Sequence, residues 1–181
     1  MMKQGNLPAI IIEHLAKHMA EIPTLAMWVH EEWGHLLPDT TLEAFISDFE
    51  NRTTPGQIPE TFVALADDKP LGMASLVKHD MLTRKDLSPW LASVYVPPNS
   101  RNGGVGSRLV KAVMQEAEAM GVEKFFLFTP DRVKFYQRQG WKVLEEYHYR
   151  GEEVVIMVYE TNKRADQPAN QPVLLEKGAR E

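Results

Sequence analysis

The stretch "SVYVPPNSRNGGVGSRLVKAV", residues 93–113, narrows the fold more than any other. An apolar run ends at Pro97 and Pro98, which cannot continue a central ladder, and a glycine cluster comes after them. Helical spacing then starts at once, with Leu109, Ala112, Val113, Glu116, Ala117 and Met120 on one face and Gly121 as a stop. A second short strand, "KFFLFT", comes next. Strand, helix, strand over 90–129 is a βαβ unit, so part of a mixed sheet must be parallel there.

A strand that ends in a glycine turn opening a helix exposes unpaired N–H groups, and the helix dipole adds positive partial charge at the same place. Gly103, Gly104 and Gly106 let a ligand approach the backbone, and Arg101 adds a fixed cation. Arg108, in the first helical turn, opposes the dipole unless an anion compensates it. The pattern suits a phosphate or pyrophosphate, although a tight strand-to-helix turn with no ligand would use the same glycines. A Walker A loop fails here, because Ser107-Arg108 stands after Gly106 where Lys-Ser/Thr is required. A dinucleotide fingerprint fits poorly, because Leu109 stands where its third glycine belongs.

The rest of the chain supplies the other elements. Leu15, Met19, Ile22, Leu25, Val29 and Trp33 predict a helix over 16–34 with a break near Pro23. Leu42, Phe45, Ile46 and Phe49 predict another over 41–52, with Asp39, Thr40 or Thr41 as cap. Strands are expected at 61–66 and 71–79 around an Asp67-Asp68 turn, and at 8–13. "DRVKFYQRQG" reads as a short helix capped by Asp131 and closed by Gly140, and a final hairpin turns around Gly151. The order is ααβββαβαββ, with an additional strand in front. Residues 161–181 lack periodicity and are expected to form a flexible tail.

Two separated motifs together resemble one family. "VPPNSRNGGVGSRLV" is similar to the Arg/Gln-x-x-Gly-x-Gly/Ala motif of the GNAT family, the Gcn5-related N-acetyltransferases, with Arg101, Gly104 and Gly106 at the motif positions. "FLFTPDRVKFYQRQGW" resembles the family's later Phe-Tyr-x-x-x-Gly-Phe signature, with Phe135, Tyr136, Gly140 and Trp141 in register. The resemblance covers about residues 60–160. It implies an α+β fold, an α/β/α sandwich with a mixed, mostly antiparallel sheet whose parallel βαβ segment is splayed at the acetyl-CoA site. It also implies one domain over 1–160, with a variable acceptor-side region at 8–60 and an acetyl-CoA-binding core at 61–160.

By the same resemblance, Arg101, Asn102, Gly103, Gly104, Val105, Gly106 and Ser107 would hold the pyrophosphate of acetyl-CoA. The backbone of Val94, Tyr95 and Val96 would bind the pantetheine arm and the thioester carbonyl, where N–H groups stabilise an oxyanion. Tyr136 matches the general acid that protonates the departing thiolate. The implied activity is transfer of an acetyl group to a primary amine. The chain contains no Cys, so a cysteinyl acyl-enzyme is ruled out and direct transfer in a ternary complex is expected. No Gly-x-Ser-x-Gly elbow is present either.

The proton acceptor is left open among His30, Glu31, Glu32, His35, His79 and Asp80, since the strand at 90–96 carries no carboxylate. Trp28, Trp33 and Trp90 are candidates for an acceptor-pocket wall or for core. "HEEWGH" spaces its histidines five apart with Gly34 between, which does not match a His-Glu-x-x-His zinc site, so no metal is expected. A formal net charge of -5 argues against nucleic acid as a partner. No apolar run approaches the roughly 20 residues of a bilayer span, so no membrane partner and a cytoplasmic location are expected. The resemblance also allows a homodimer.

Glu31, Glu32, Asp39, Glu43 and Asp48 favour a small cationic amine as acceptor. An amino acid, and a peptide or protein amine, remain in view. A non-catalytic acyl-CoA-binding regulatory module would need Arg101 and the glycine turn but not Tyr136.

Overall fold

The computed structural model describes residues 9–161. The chain runs β1 (Ile11–His14), α1 (Ile22–Trp33), α2 (Leu42–Glu50), β2 (Glu60–Ala66), β3 (Lys69–Val77), β4 (Trp90–Tyr95) and α3 (Val105–Ala119). It continues with β5 (Lys124–Thr129), α4 (Val133–Gln137), β6 (Lys142–Tyr149) and β7 (Glu152–Glu160). The strands form one seven-stranded sheet in the order β1-β2-β3-β4-β5-β7-β6. Every neighbouring pair is antiparallel except β4 and β5, the parallel pair that the βαβ pattern requires.

Alternation along the strands sends neighbouring side chains to opposite faces, and the helices cover both. Val63, Leu65 and Met73 pack with Leu25, Val29, Phe45 and Phe49 of α1 and α2. Ala64, Ala74, Leu76, Leu91, Phe125 and Leu127 pack with Val105, Leu109, Val113 and Ala117 of α3 on the other face. The result is an α/β/α sandwich. Asp67 and Asp68 both have positive φ, 48° and 59°, the conformation that a two-residue hairpin turn demands.

Three local expectations are corrected. Pro23 does not break a helix: it lies in the first turn of α1, where its missing N–H needs no partner, and two short 3-10 turns at Leu15–Lys17 and Met19–Glu21 precede it. Asp131 does not cap α4; the Thr129 hydroxyl accepts the Arg132 N–H at 3.0 Å instead. The first strand starts at Ile11 rather than at 8. The expected tail, apart from Thr161, lies outside the described residues.

Two features of β4 open the sheet on one side. Its register against β3 slips between Met73 and Ser75, and Ser93 takes a φ of 52°, so the strand bulges. Its pairing with β5 is confined to Trp90 opposite Phe126, so the two strands part beyond that point. Gly72 of β3 makes room for the bulge. A Cβ there would lie 2.7 Å from the Tyr95 carbonyl oxygen and 3.1 Å from Leu109 and Val96, and backbone cannot yield as a flexible side chain does.

Glu60, at the start of β2, is completely buried. Its Oε2 accepts the Gly56 N–H at 3.0 Å and lies 3.3 Å from His14 Nε2, while Oε1 has no partner. Burial pushes the carboxyl up to about 7, with the Gly56 N–H opposing and the charge of Glu116 adding to it. Between the ordinary value of 4.5 and 7 the folded state holds a proton that the unfolded chain has lost. Stability therefore declines as pH rises through this window and levels off above it. The Glu60→Gln variant is expected to match the parent near pH 5. At pH 8 it should melt about 2–4 °C higher, the scale of ~1 kcal/mol at this chain length. Thermal unfolding at both pH values checks this, and equal melting at pH 8 would show that the buried carboxylate costs nothing.

Candidate active site

The turn between β4 and α3 reverses the chain through positive φ values at Asn102 (66°) and Gly104 (76°). Gly104 is the N-cap of α3 and offers no side-chain cap, so the N–H groups of the first helical turn stay open to a ligand. The first helical turn contains no acidic residue, which leaves its positive partial charge uncompensated. A Cβ placed on Gly104 would meet nothing within 4 Å, so space for a ligand is present on that side. Arg101 is held by its Nε–H, which donates to the Val96 carbonyl at 2.8 Å. Arg108 does not join this site. It lines a separate groove with Lys111, Gln115 and Glu116, on a different side of α3.

A cavity of about 860 Å³ extends from this turn between the parted strands to the ends of α1 and α2. Val94, Tyr95, Val96, Arg101, Asn102, Gly104, Val105, Gly106, Ser107 and Tyr136 all line it, whereas Gly103 belongs to the turn but not to the wall. α4 carries Tyr136 into the cavity, and its ring packs edge-on against Phe135 at 4.9 Å and Trp141 at 6.2 Å. Its hydroxyl makes no hydrogen bond among the described residues. Burial holds this phenol well above its ordinary value, and Arg132 only partly offsets the effect, so it stays protonated.

At the far end, the candidate proton acceptors separate. Glu32, His35 and Asp80 line the cavity, and His30, Glu31 and His79 do not. Trp33 forms part of the wall; Trp28 instead stacks on Tyr95 at 5.5 Å, and Trp90 is wholly buried against Phe126 and Phe128. Sequence reasoning missed Arg52, Tyr149 and Arg150, which complete this end. Arg52 Nη1 donates to the Ser75 and Ser93 hydroxyls at 3.1 and 3.2 Å, and Nη2 pairs with Asp48. Arg150, in the β6–β7 turn, donates to the Leu36 carbonyl at 2.7 Å, closing the wall between elements far apart in the chain. No local pattern marks these residues, because their meeting depends on long-range pairing.

Asp80 is half-buried and makes no hydrogen bond or ion pair among the described residues. Burial pushes its carboxyl up to about 6, with Arg52 and Arg150 opposing and Asp48 adding. Among the described residues no group of three or more His, Cys, Asp or Glu side chains is placed to hold a metal. No described helix is long and apolar enough to cross a membrane.

The family profile described as acetyltransferase (GNAT) family matches residues 20–141. An amino-acid acetyltransferase of Pasteurella multocida (strain Pm70) is 34% identical over 55 residues, 30% of this chain. The match spans 12% of that curated relative's length. Among solved structures, an aminoglycoside 6'-acetyltransferase type Ii superposes with a TM-score of 0.66 at 17% identity, covering 85% of this chain and 99% of that one. The structure of yncA from Salmonella typhimurium with its cofactor acetyl-CoA gives 0.66 at 16% identity, covering 90% and 99%.

Proposed function

Because the chain belongs to the acetyltransferase (GNAT) family and is an acyltransferase, we propose that it transfers the acetyl group of acetyl-CoA to the primary amine of a small molecule, directly, within a ternary complex. One observation carries the reading. The open end of α3, the parted β4 and β5 strands and the phenol of Tyr136 all face the same cavity.

Each part of this wall has its own task. The N–H groups at the start of α3, with Arg101, hold the pyrophosphate through charge-assisted hydrogen bonds. The backbone of Val94, Tyr95 and Val96 on the side released by the splay pairs with the pantetheine arm, the Val96 carbonyl being already held by Arg101. It also directs N–H dipoles at the carbonyl oxygen as negative charge develops there. The amine nitrogen bonds to the carbonyl carbon, the C–S bond breaks, and Tyr136 gives its proton to the sulfur. A phenol held above its ordinary value releases that proton only as charge builds on the leaving group.

A small acceptor suits the dimensions, since the cavity of about 860 Å³ must take the end of the acetyl-CoA arm as well, and the share left at the α1–α2 end is that of a small molecule. The hydrogen bond from Arg150 to Leu36 bridges the wall where a peptide would need an open groove. Two of the three similar proteins named above are, by their descriptions, an amino-acid and an aminoglycoside acetyltransferase, both acting on small amines.

Calorimetric titration of acetyl-CoA, beside an Arg101→Glu variant, tests the cofactor half. The variant is expected to bind at least about tenfold more weakly, ~1.4 kcal/mol, because a repelling charge replaces an attracting one at the pyrophosphate. Thiol release with L-glutamate, spermidine, kanamycin and an alanine-terminated tripeptide tests the transfer half. No acetyl-CoA binding to the parent protein would refute the reading.

A further inference from the structure

Asp80 is a carboxylate for which the fold itself has no use. It lies in the loop 78–89 between β3 and β4, on the cavity wall, with neither hydrogen bond nor ion pair among the described residues. Half-buried and unpartnered, its carboxylate keeps its lone pairs open to the cavity, where they can take up a proton from a ligand.

The backbone around it is fixed. Met81 is completely buried, the Leu82 N–H donates to the Tyr149 hydroxyl at 3.3 Å, and the Ser88 hydroxyl donates to the Lys78 carbonyl at 2.8 Å. Arg84 pairs with Asp86 within the same loop and ties it to Glu145 of β6. Asp80 is thus carried on an anchored loop while its side chain stays free.

The charges around it point the same way. Arg52 at the end of α2 and Arg150 in the β6–β7 turn favour its ionised form, and Asp48 of α2 opposes it. Neither cation consumes its lone pairs. Arg52 is engaged by Asp48, Ser75 and Ser93, and Arg150 by the Leu36 carbonyl and the face of Tyr149 at 5.2 Å. Glu32, His35 and Glu152 also line the cavity, but all three are exposed, and the neighbouring His79 lies off the wall.

We propose that Asp80 is the general base that takes the proton from the acceptor's ammonium group. This rests on the acetyl-transfer reading. An alkyl ammonium with a pKa near 10 is only about 0.1% free amine at pH 7, so a positioned base is needed for fast attack. In the step, a carboxylate oxygen of Asp80 removes one N–H proton, the electron pair of that bond forms the new N–C bond, and the second N–H proton, made acidic by the new bond, passes through water to the Tyr136 oxygen, replacing the proton given to the sulfur. Asp80 is left as the neutral acid and returns its proton to water.

The test takes whichever of L-glutamate, spermidine, kanamycin and the tripeptide is acetylated fastest and measures kcat/KM from pH 5 to 10 for the parent and Asp80→Asn. The parent should lose activity below about pH 6, where Asp80 becomes protonated. Asp80→Asn should fall by about 100-fold or more at pH 7, lack that acidic limb, and approach the parent near pH 10 as free amine accumulates. Its acetyl-CoA affinity, read by calorimetry, should not change. In Asp80→Ala, added formate should restore part of the rate. An Asp80→Asn enzyme that keeps both its rate and its acidic limb overturns the base role alone. Acetyl-CoA binding by the parent without transfer to any of the four amines overturns the transfer reading, and the role of Asp80 with it.

Discussion

Changing Tyr136 to Phe is expected to lower kcat by about 10²- to 10⁴-fold, the contribution of a positioned general acid, with acetyl-CoA affinity and stability held. The ring would keep its edge-on contacts with Phe135 and Trp141, so the packing of α4 survives. The hydroxyl makes no hydrogen bond within the described fold, so its removal breaks none. What disappears is one proton, at the point where the thiolate departs. Steady-state kinetics and calorimetry on the same preparation separate the two quantities. An unchanged kcat would assign protonation of the thiolate to solvent.

The largest stability effect is expected at Trp141. It is 2% exposed, and its ring meets Phe125 at 4.8 Å, Tyr159 at 5.6 Å and Tyr136 at 6.2 Å. Trp141→Ala should cost about 3–5 kcal/mol, since the surrounding rings cannot close over so large a void. That corresponds to a melting temperature lower by roughly 10 °C at this length. The indole N–H has no partner among the described residues, so the loss is one of packing rather than of a hydrogen bond. Trp141→Phe should accordingly recover much of it. Because the void opens behind Tyr136, Trp141→Ala should lower kcat as well, which Trp141→Phe should not. Denaturant titration and kinetics on both variants check this.

The parts of the molecule that were legible in the sequence are those with local causes. The strand–glycine turn–helix unit was readable because prolines stop a ladder and Gly104 permits a left-handed turn, and α3 because its apolar stripe repeats within one segment. Tyr136 was singled out only by the resemblance of its segment to the family signature, and the fold places it on the cavity wall. Arg108 was misplaced because a position in the first helical turn does not say which side of the helix a residue occupies. The far end of the cavity, at α1 and α2, was not legible for a different reason. Arg52, Asp80 and Arg150 lie in three connecting segments and meet only after β2, β3, β6 and β7 have paired. Asp80 was one acidic candidate among several, and only its burial, its anchored loop and its lack of a partner distinguish it.

Arg52 has a further role, because the Ser93 hydroxyl that it holds belongs to the bulge of β4. One guanidinium thus touches both the bulged strand, proposed above to face the thioester, and Asp48 on the wall proposed to face the amine. A thioester that shifts the bulge changes the setting of Arg52, and an amine that displaces Arg52 changes the bulge. Thermodynamic reciprocity then requires that whatever factor the first substrate applies to the affinity of the second is returned in full. On the acetyl-transfer reading, Arg52 is the joint through which each half of the ternary complex would register the other.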